Sequence, residues 1–385
     1  MARLGDICSF QSGGTPSKKE PTYFNGDIPW ITTIALNGKV IDAKDAVDWI
    51  TEKAIRESAA KIVPTRSIMI GTRVGVGKVA MNAIPMSTSQ DIISLIGIDE
   101  NRWSKPYLCK FILGKNAILI SQARGATIKG IKMDVLAELD VPNIPLSDQC
   151  KIAFVLDKVD ELIALRKQQL AKLDELVKAR FVEMFGPYIR SSSKLALKDV
   201  SEFVSVGIAN SATHAYADTG IVMLRNQNIK ENYLDDSDLI YIKPEFAALY
   251  QSKKLRENDI LVIRTGYPGV ACLVPAKYEG CQTFTTLIVR LKQSVDFLPL
   301  YICHYINSRY GKTFVDEMKV GVAQQNFGAK SLEKMPIAIP PIEAQERFAA
   351  FIGRTDKSKD ILQKSIGELK TLKKALMQKY FGGGL

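Results

Sequence analysis

The 385-residue chain is long enough for two or three domains, each able to bury its own core. Its 46% hydrophobic and 24% charged residues are ordinary for a soluble protein, and no apolar run approaches the roughly 20 residues that span a bilayer. The 52 Lys and Arg against 41 Asp and Glu leave a net charge of +11, which favours a polyanionic partner. Met1-Ala-Arg-Leu-Gly-Asp6 carries no apolar signal segment, so a cytoplasmic location is expected. Cys8, Cys109, Cys150, Cys272, Cys281 and Cys303 form no Cys-x-x-Cys pair and have no His at ligand spacing. They read as small buried side chains in a reducing compartment, not as a metal or disulfide framework.

From Leu4 to about Asn143 the pattern is mixed. Short β-type runs (Ile28-Pro-Trp-Ile-Thr-Thr33, Ser67-Ile-Met-Ile-Gly71, Ile92-Ile-Ser-Leu-Ile96) are separated by Gly, Pro and Ser turns. Helix-like stretches lie between them, at Thr51 to Lys61 and Lys105 to Leu113. After Pro142-Asn-Ile-Pro-Leu-Ser147 the character changes, because neither Pro nor Gly occurs again until Gly186. Apolar residues recur in steps of four and three at Ile152, Leu156, Val159, Ile163, Leu170, Leu173 and Val177, with only Arg166 and Arg180 breaking the seam. The spacing predicts a helix about 60 Å long, with Ser147 as N-cap and Phe185-Gly186-Pro187 as the stop.

The chain then repeats itself. Leu4-Gly-Asp-Ile-Cys-Ser-Phe10 is echoed by Leu197-Lys-Asp-Val-Ser-Glu-Phe203. Gly125 with Gly321, Pro145 with Pro341, Gln149 with Gln345, Asp160 with Asp356 and Phe185-Gly186 with Phe381-Gly382 all stand 196 positions apart. The second copy has strands expected near Ile221 to Leu224, Ile260 to Arg264 and Leu287 to Leu291. It ends in a second long helix after Pro340-Pro341, with its seam at Phe348, Ile352, Leu362, Ile366, Leu369 and Leu376 and polar breaks at Thr355, Lys359 and Lys373. Such a long repeat is a duplicated domain rather than a solenoid. The expected fold is mixed α/β (α+β): two globular units, residues 1–144 and 191–339, alternating with long helices over 145–190 and 340–385. A pseudo-two-fold would pair those helices as an antiparallel coiled coil.

Catalytic chemistry is hard to find. His304 lies in an apolar helix-like run and reads as a packed, hydrogen-bonded side chain, while His214 sits in a polar loop and neither has a counterpart in the other repeat. Gly71-Thr-Arg-Val-Gly-Val-Gly-Lys78 is similar to a phosphate loop, but the Walker spacing fails and Val79 stands where Ser or Thr should bind magnesium. It reads as a tight turn, echoed by Arg264-Thr-Gly-Tyr-Pro-Gly269. The target-amine tetrad of N-methyltransferases is missing. Asp27 with Asp42-Ala-Lys44 could hold magnesium in a nuclease, but this spacing has no copy in the second repeat.

Two variable α/β units alternating with two long helices resemble the specificity subunit of type I restriction-modification systems. The helices open at Pro145-Leu-Ser-Asp-Gln149 and Pro341-Ile-Glu-Ala-Gln345, and Ser12-Gly-Gly-Thr-Pro16 and the turn at Gly75 and Gly77 add to the likeness. The second repeat departs from it, with Val206-Gly-Ile-Ala-Asn-Ser-Ala-Thr213 in place of the Gly-Gly-Thr-Pro loop. The resemblance implies a non-catalytic DNA-recognition subunit, with no cofactor of its own, in which each α/β unit is a target recognition domain reading one half of a split asymmetric site. It further implies docking of two methyltransferase subunits, which bind S-adenosylmethionine, and usually of two restriction subunits using ATP and magnesium. Two half-sites on one face of B-DNA lie about 34 Å apart, so changing the spacer by one pair also rotates a half-site by roughly 34 to 36°.

Arg to guanine and Asn or Gln to adenine are the strongest base contacts, while Lys, Ser and Thr mostly hold phosphates. In the first unit the expected DNA contacts are Thr15, Ser17, Lys18 and Lys19; Thr72, Arg73 and Lys78; Ser87, Thr88, Ser89 and Gln90; and Arg124, Lys129 and Lys132. In the second they are Arg225, Asn226, Gln227 and Asn228; Arg264, Tyr267 and Thr283; and Lys319, Gln324, Gln325 and Asn326. Competing readings are a recognition subunit of another methylation-based or phage-defence complex, a coiled-coil scaffold that binds no DNA, and an autonomous nuclease.

Overall fold

The structure, a computed structural model, describes residues 1–123, 130–191, 193–209, 212–320 and 326–382. The chain divides into two units, Met1–Gln168 with Leu362–Leu385, and Gln169–Ile361. Each long helix therefore gives one of its halves to each unit. No helix among the described residues is long and apolar enough to cross a membrane.

In the first unit a central sheet runs in the order Ser9–Ser12, Ile92–Ile96, Ile68–Gly71, Val79–Asn82, Val40–Ile41. Its neighbours are antiparallel except for the last pair. A second sheet joins Asp48–Ile50, Phe24–Ile31, Met86–Thr88 and Ile62–Val63, with Phe24–Ile31 parallel to Met86–Thr88. A ribbon of Ala2–Arg3 with Asp140–Val141 closes the ends of the globular part. The helix expected from Thr51 to Lys61 is only Glu52–Glu57, because Thr51 caps its start and the Ser58 hydroxyl bonds the Ala54 carbonyl and the Ala60 amide.

The second unit repeats most of this order, with four central strands instead of five and an edge strand, Tyr216–Ala217, added beside Ile240–Ile242. Its central sheet is Ser201–Val206, Leu287–Leu291, Ile260–Val262, Ala271–Leu273, and its second sheet is Tyr216–Ala217, Ile240–Ile242, Ile221–Leu224, Gln282–Thr283. The parallel pair recurs between Ile221–Leu224 and Gln282–Thr283, and the closing ribbon between Lys194–Ala196 and Pro336–Ala338. The duplication legible in the sequence is thus a duplication of strand order over four strands of the central sheet and three of the second.

The long helices span Leu146–Arg190 and Ile342–Phe381. Every expected seam residue is buried or half-buried. Within the second unit the rings of Phe185 and Phe348 are 5.4 Å apart, and eleven residues away on each helix Lys359 Nζ lies 2.6 Å from Asp174. One number falls as the other rises, so the helices are antiparallel there. In the first unit Lys373 Nζ bonds Asp160 at 2.5 Å, so Lys359 and Lys373, read as breaks in the seam, are its ion pairs. Thr355, also buried, bonds the Phe351 carbonyl.

Two expectations at the helix ends are corrected. Ser147 is not the N-cap: the helix already includes Leu146, and the Pro145 carbonyl takes the amides of Asp148 and Gln149. Nor does Phe185-Gly186-Pro187 stop the first helix, which runs on to Arg190. Pro187 forfeits only one backbone bond, and the last turn buries Ile189 in the same core as Phe185. The second helix does end at Phe381, where Gly382 turns left-handed (φ 59°) and its amide bonds the Gln378 carbonyl.

The joints between sheets and helices differ in chemistry. In the first unit the buried Lys110 ammonium sits 2.6 Å from Asp157 and 3.0 Å from Asp160. Burial opposes its charge, yet the two carboxylates hold its pKa above the usual lysine value. In the second unit the joint is aromatic: His304 lies between Phe181 and Phe348, with centroids at 6.4 and 5.1 Å. Burial drives this imidazole down to about 4, with Lys359 pushing the same way and Glu231 opposing. A depressed histidine means that the unfolded chain takes up the proton first. Stability from this group is therefore complete above about pH 6.5 and is lost as pH falls toward 4, by about 3 kcal/mol. His304→Phe should flatten that limb in urea unfolding measured from pH 7 to 4, and an unchanged slope would assign it to carboxylates.

Candidate nucleic-acid interface

In the first unit four chain segments meet at one end of the central sheet. The turn after Ile68–Gly71 is closed by bonds from the Gly71 amide to Lys78 and from the Gly77 amide to Gly71, both 2.9 Å. Gly75 and Gly77 have positive φ, and a Cβ on Gly77 would lie 2.0 Å from Asn116 Oδ1. The turn thus spends the amides of Gly71, Thr72, Gly77 and Lys78 on the backbone. From it the Thr72 carbonyl accepts the Ile131 amide (2.8 Å), and the Thr72 amide and hydroxyl both donate to the Asp91 carbonyl. The Gln90 amide donates to the Thr15 hydroxyl at 3.5 Å, and the Ser17 hydroxyl accepts the Lys19 amide. Gly13 is held so close that a Cβ would fall 2.2 Å from the Ser89 carbonyl, so the loop bearing Thr15 cannot lift away from Thr88 to Gln90 without breaking that packing.

This arrangement exposes Thr15, Ser17, Lys18, Lys19, Arg73, Gln90 and Lys132. Lys78 is also exposed, and it lines a cleft of about 1050 Å³ beside Asp157, Asp160 and Glu161 of the first long helix. Four expected contacts are overturned: Thr72, Ser87, Thr88 and Ser89 are buried. Met86–Thr88 is an inner strand, paired on one side with Phe24–Ile31 and on the other with Ile62–Val63, and the Ser87, Thr88 and Ser89 hydroxyls are enclosed without a hydrogen-bond partner among the described residues. Arg124 and Lys129 lie outside the described residues.

The second unit builds its corner on the same backbone with different side chains. The Phe327 amide donates to the Arg264 carbonyl at 2.9 Å, as Ile131 does to Thr72. Asn326 therefore stands where the first unit has Gly130, and Arg264 where it has Thr72. Arg264 Nε donates to Asn326 Oδ1 at 3.0 Å, Thr265 bridges Asn326 through the backbone, and Asn226 Nδ2 reaches the Thr265 hydroxyl at 3.2 Å. Tyr267, 83% exposed, tops the turn. Arg225 and Gln227 both donate to Asp238. Gly207 repeats the close approach of Gly13, so the lost Gly-Gly-Thr-Pro loop keeps its first glycine's role.

Two further expectations fail here. Asn228 is buried and spent on the Arg225 amide and the Asp235 and Asp238 carbonyls, and Thr283 is buried against Thr286 and the Leu224 carbonyl. Lys319 is paired with Asp316 at 2.7 Å, and Gln324 and Gln325 lie outside the described residues. Thr265 and Asp238 escaped the sequence reading; the only signal for Thr265 was its place in the repeated turn. Among the described residues no His, Cys, Asp and Glu cluster is placed to hold a metal. Asp42, weighed above as a nuclease ligand, caps a turn by accepting the Lys44 amide at 3.0 Å.

Fold and corners together define a duplicated protein, with one backbone plan carrying two different sets of polar side chains. The sequence profile of the type I restriction modification DNA specificity domain matches residues 1–175 and again 192–371, and the chain belongs to that family. It is 32% identical over 186 residues to the MjaIX specificity subunit of Methanocaldococcus jannaschii (48% of this chain, 43% of that protein). It is 31% identical over 166 residues to the EcoR124I/EcoR124II specificity subunit of Escherichia coli (41% and 40%). These alignments span less than half of either relative. A 21% identical alignment with the EcoKI specificity subunit of Escherichia coli covers all of this chain and 89% of that one. A chain in a solved type I R-M system structure shares the fold over 100% of this chain and 97% of its own, with a TM-score of 0.66 at 18% identity. The S subunit from M. genitalium does so over 98% and 95%, with a TM-score of 0.53 at 12% identity.

Proposed function

We propose that this chain is the DNA specificity subunit of a type I restriction-modification complex, acting in the cytoplasm and without catalysis of its own. Residues 1–144 and 191–339 are its two target recognition domains. Helices 145–190 and 340–385 set their spacing and dock two methyltransferase subunits, which carry S-adenosylmethionine, usually with two restriction subunits that use ATP and magnesium. The observation that carries this reading is the repeated corner with unlike side chains, Thr72, Arg73 and Gly130 against Arg264, Thr265 and Asn326. Two such corners suit an asymmetric, bipartite target, and the net charge of +11 suits a phosphate backbone.

Methylation mapping of host DNA tests it, with the chain co-expressed beside its cognate methyltransferase subunit. A split asymmetric motif that depends on this chain is expected. No motif, from a methyltransferase shown active with another specificity subunit, would reject the reading in favour of a scaffold. Lys18 and Lys19 are expected to hold phosphates. Replacing both by Ala should weaken binding about equally for all sequences and flatten the plot of log affinity against log salt by roughly two units. Titrations of the assembled complex between 50 and 200 mM salt would check this.

A further inference from the structure

The Arg264 and Asn326 pair has a chemistry that narrows what the second unit can read. Arg264 follows the strand Ile260–Val262, and its carbonyl is pinned by Phe327. Asn326 is pinned by the exchange of both backbone bonds with Val320, at 2.9 and 3.0 Å. Their side chains meet at 3.0 Å, Nε donating to Oδ1. That bond settles which way the Asn326 amide faces, since a reversed amide would set N–H against N–H. Asn226 Nδ2 donates to the Thr265 hydroxyl at 3.2 Å and ties down the next residue of the turn. Arg264 is half-exposed and Asn326 exposed, and among the described residues no other bond to the Arg264 guanidinium is found.

The pair therefore commits one lone pair of the Asn326 Oδ1 to Arg264 and leaves the two guanidinium Nη groups and the Asn326 Nδ2, all of them donors, without a bond among the described residues. A free asparagine reads adenine by pairing one acceptor with one donor, whereas here the Oδ1 is already held by Arg264 and donors outnumber acceptors on the pair. Guanine offers two acceptors, O6 and N7, side by side in the major groove, whereas cytosine offers a donor, adenine one of each, and thymine one acceptor beside a methyl group. We propose that Arg264, positioned by Asn326, reads a guanine in the half-site recognised by the second unit. The inference rests on the DNA-reading function proposed above. The first unit lacks this head, because buried Thr72 and Gly130 occupy the matching places.

The test is methylation mapping of the complex carrying wild-type chain, Arg264→Ala, Arg264→Lys or Asn326→Ala. The wild-type motif should contain a G·C pair in one half. Discrimination at that one position should fall roughly 10- to 100-fold with Arg264→Ala. Arg264→Lys, which keeps the charge and loses the planar fork, should relax the same position, whereas a phosphate contact would tolerate lysine. Asn326→Ala should relax it partially. A wild-type motif left unchanged by Arg264→Ala, relaxation at an A·T pair, or loss of all methylation with Arg264→Lys as well would each overturn the guanine assignment while leaving the specificity function standing. A wild-type chain that directs no motif would overturn that function and this inference with it.

Discussion

Gln345→Leu should cost the second unit about 3 to 5 kcal/mol, although leucine nearly matches the glutamine in volume. Gln345 is fully buried at the start of the second long helix. Its Oε1 accepts the Leu298 amide at 2.8 Å, and its Nε2 donates to the Asp296 and Pro340 carbonyls at 2.9 and 3.1 Å. Gln149 does the same in the first unit, accepting from Ser104 (2.9 Å) and donating to Arg102 (3.1 Å) and Ile144 (2.9 Å). One side chain thus ties the helix start to the chain entering it and to the loop before an earlier helix, Pro299–Asn307 in the second unit and Lys105–Gly114 in the first. Leucine would leave three backbone groups unpaired, the Pro340 carbonyl buried and the other two part-buried, at about 1 to 3 kcal/mol for each group that water cannot reach. Gln149→Leu should carry a similar cost in its own unit. Denaturant unfolding checks both, and a loss below about 1 kcal/mol would mean that water satisfies the freed groups.

The second large effect is expected at Phe348→Ala, again about 3 to 5 kcal/mol. Phe348 is fully buried, and its ring lies 5.6 Å from Phe181, 5.4 Å from Phe185 and 5.1 Å from His304. The cavity would remove edge-on aromatic contacts as well as buried area. It would also admit water to His304, so the loss of stability between pH 6.5 and 4 should shrink in this variant. A full loss of stability with an unaltered pH profile would show that the histidine is desolvated by Phe181 and its other neighbours alone. The matching residue of the first unit, Ile152, is only half-buried, so Ile152→Ala should cost less.

The duplication, the two long helices and their seams are legible in the residues because they rest on periodicity. A buried stripe must recur every three or four positions along a helix, and Ile152 through Val177 and Phe348 through Leu376 do so whatever they pack against. The Gly71 to Lys78 turn is legible for a similar reason, since positive φ at Gly75 and Gly77 is a local demand. What local pattern could not decide was which polar residues reach the surface. Ser87, Thr88, Ser89 and Thr283 look like contacts until neighbouring segments cover them, and Asn228 looks free until its amide is spent on the backbone of residues 225 to 238. Pro187 reads as a stop until burial of Ile189 carries the helix past it. The pairing of Arg264 with Asn326 joins residues 62 positions apart, and only tertiary structure brings them together. The sequence by itself determined the repeated scaffold, because periodicity and turn chemistry act within a few residues. Tertiary structure decided the reading surface, because exposure and hydrogen-bond partners depend on distant segments meeting.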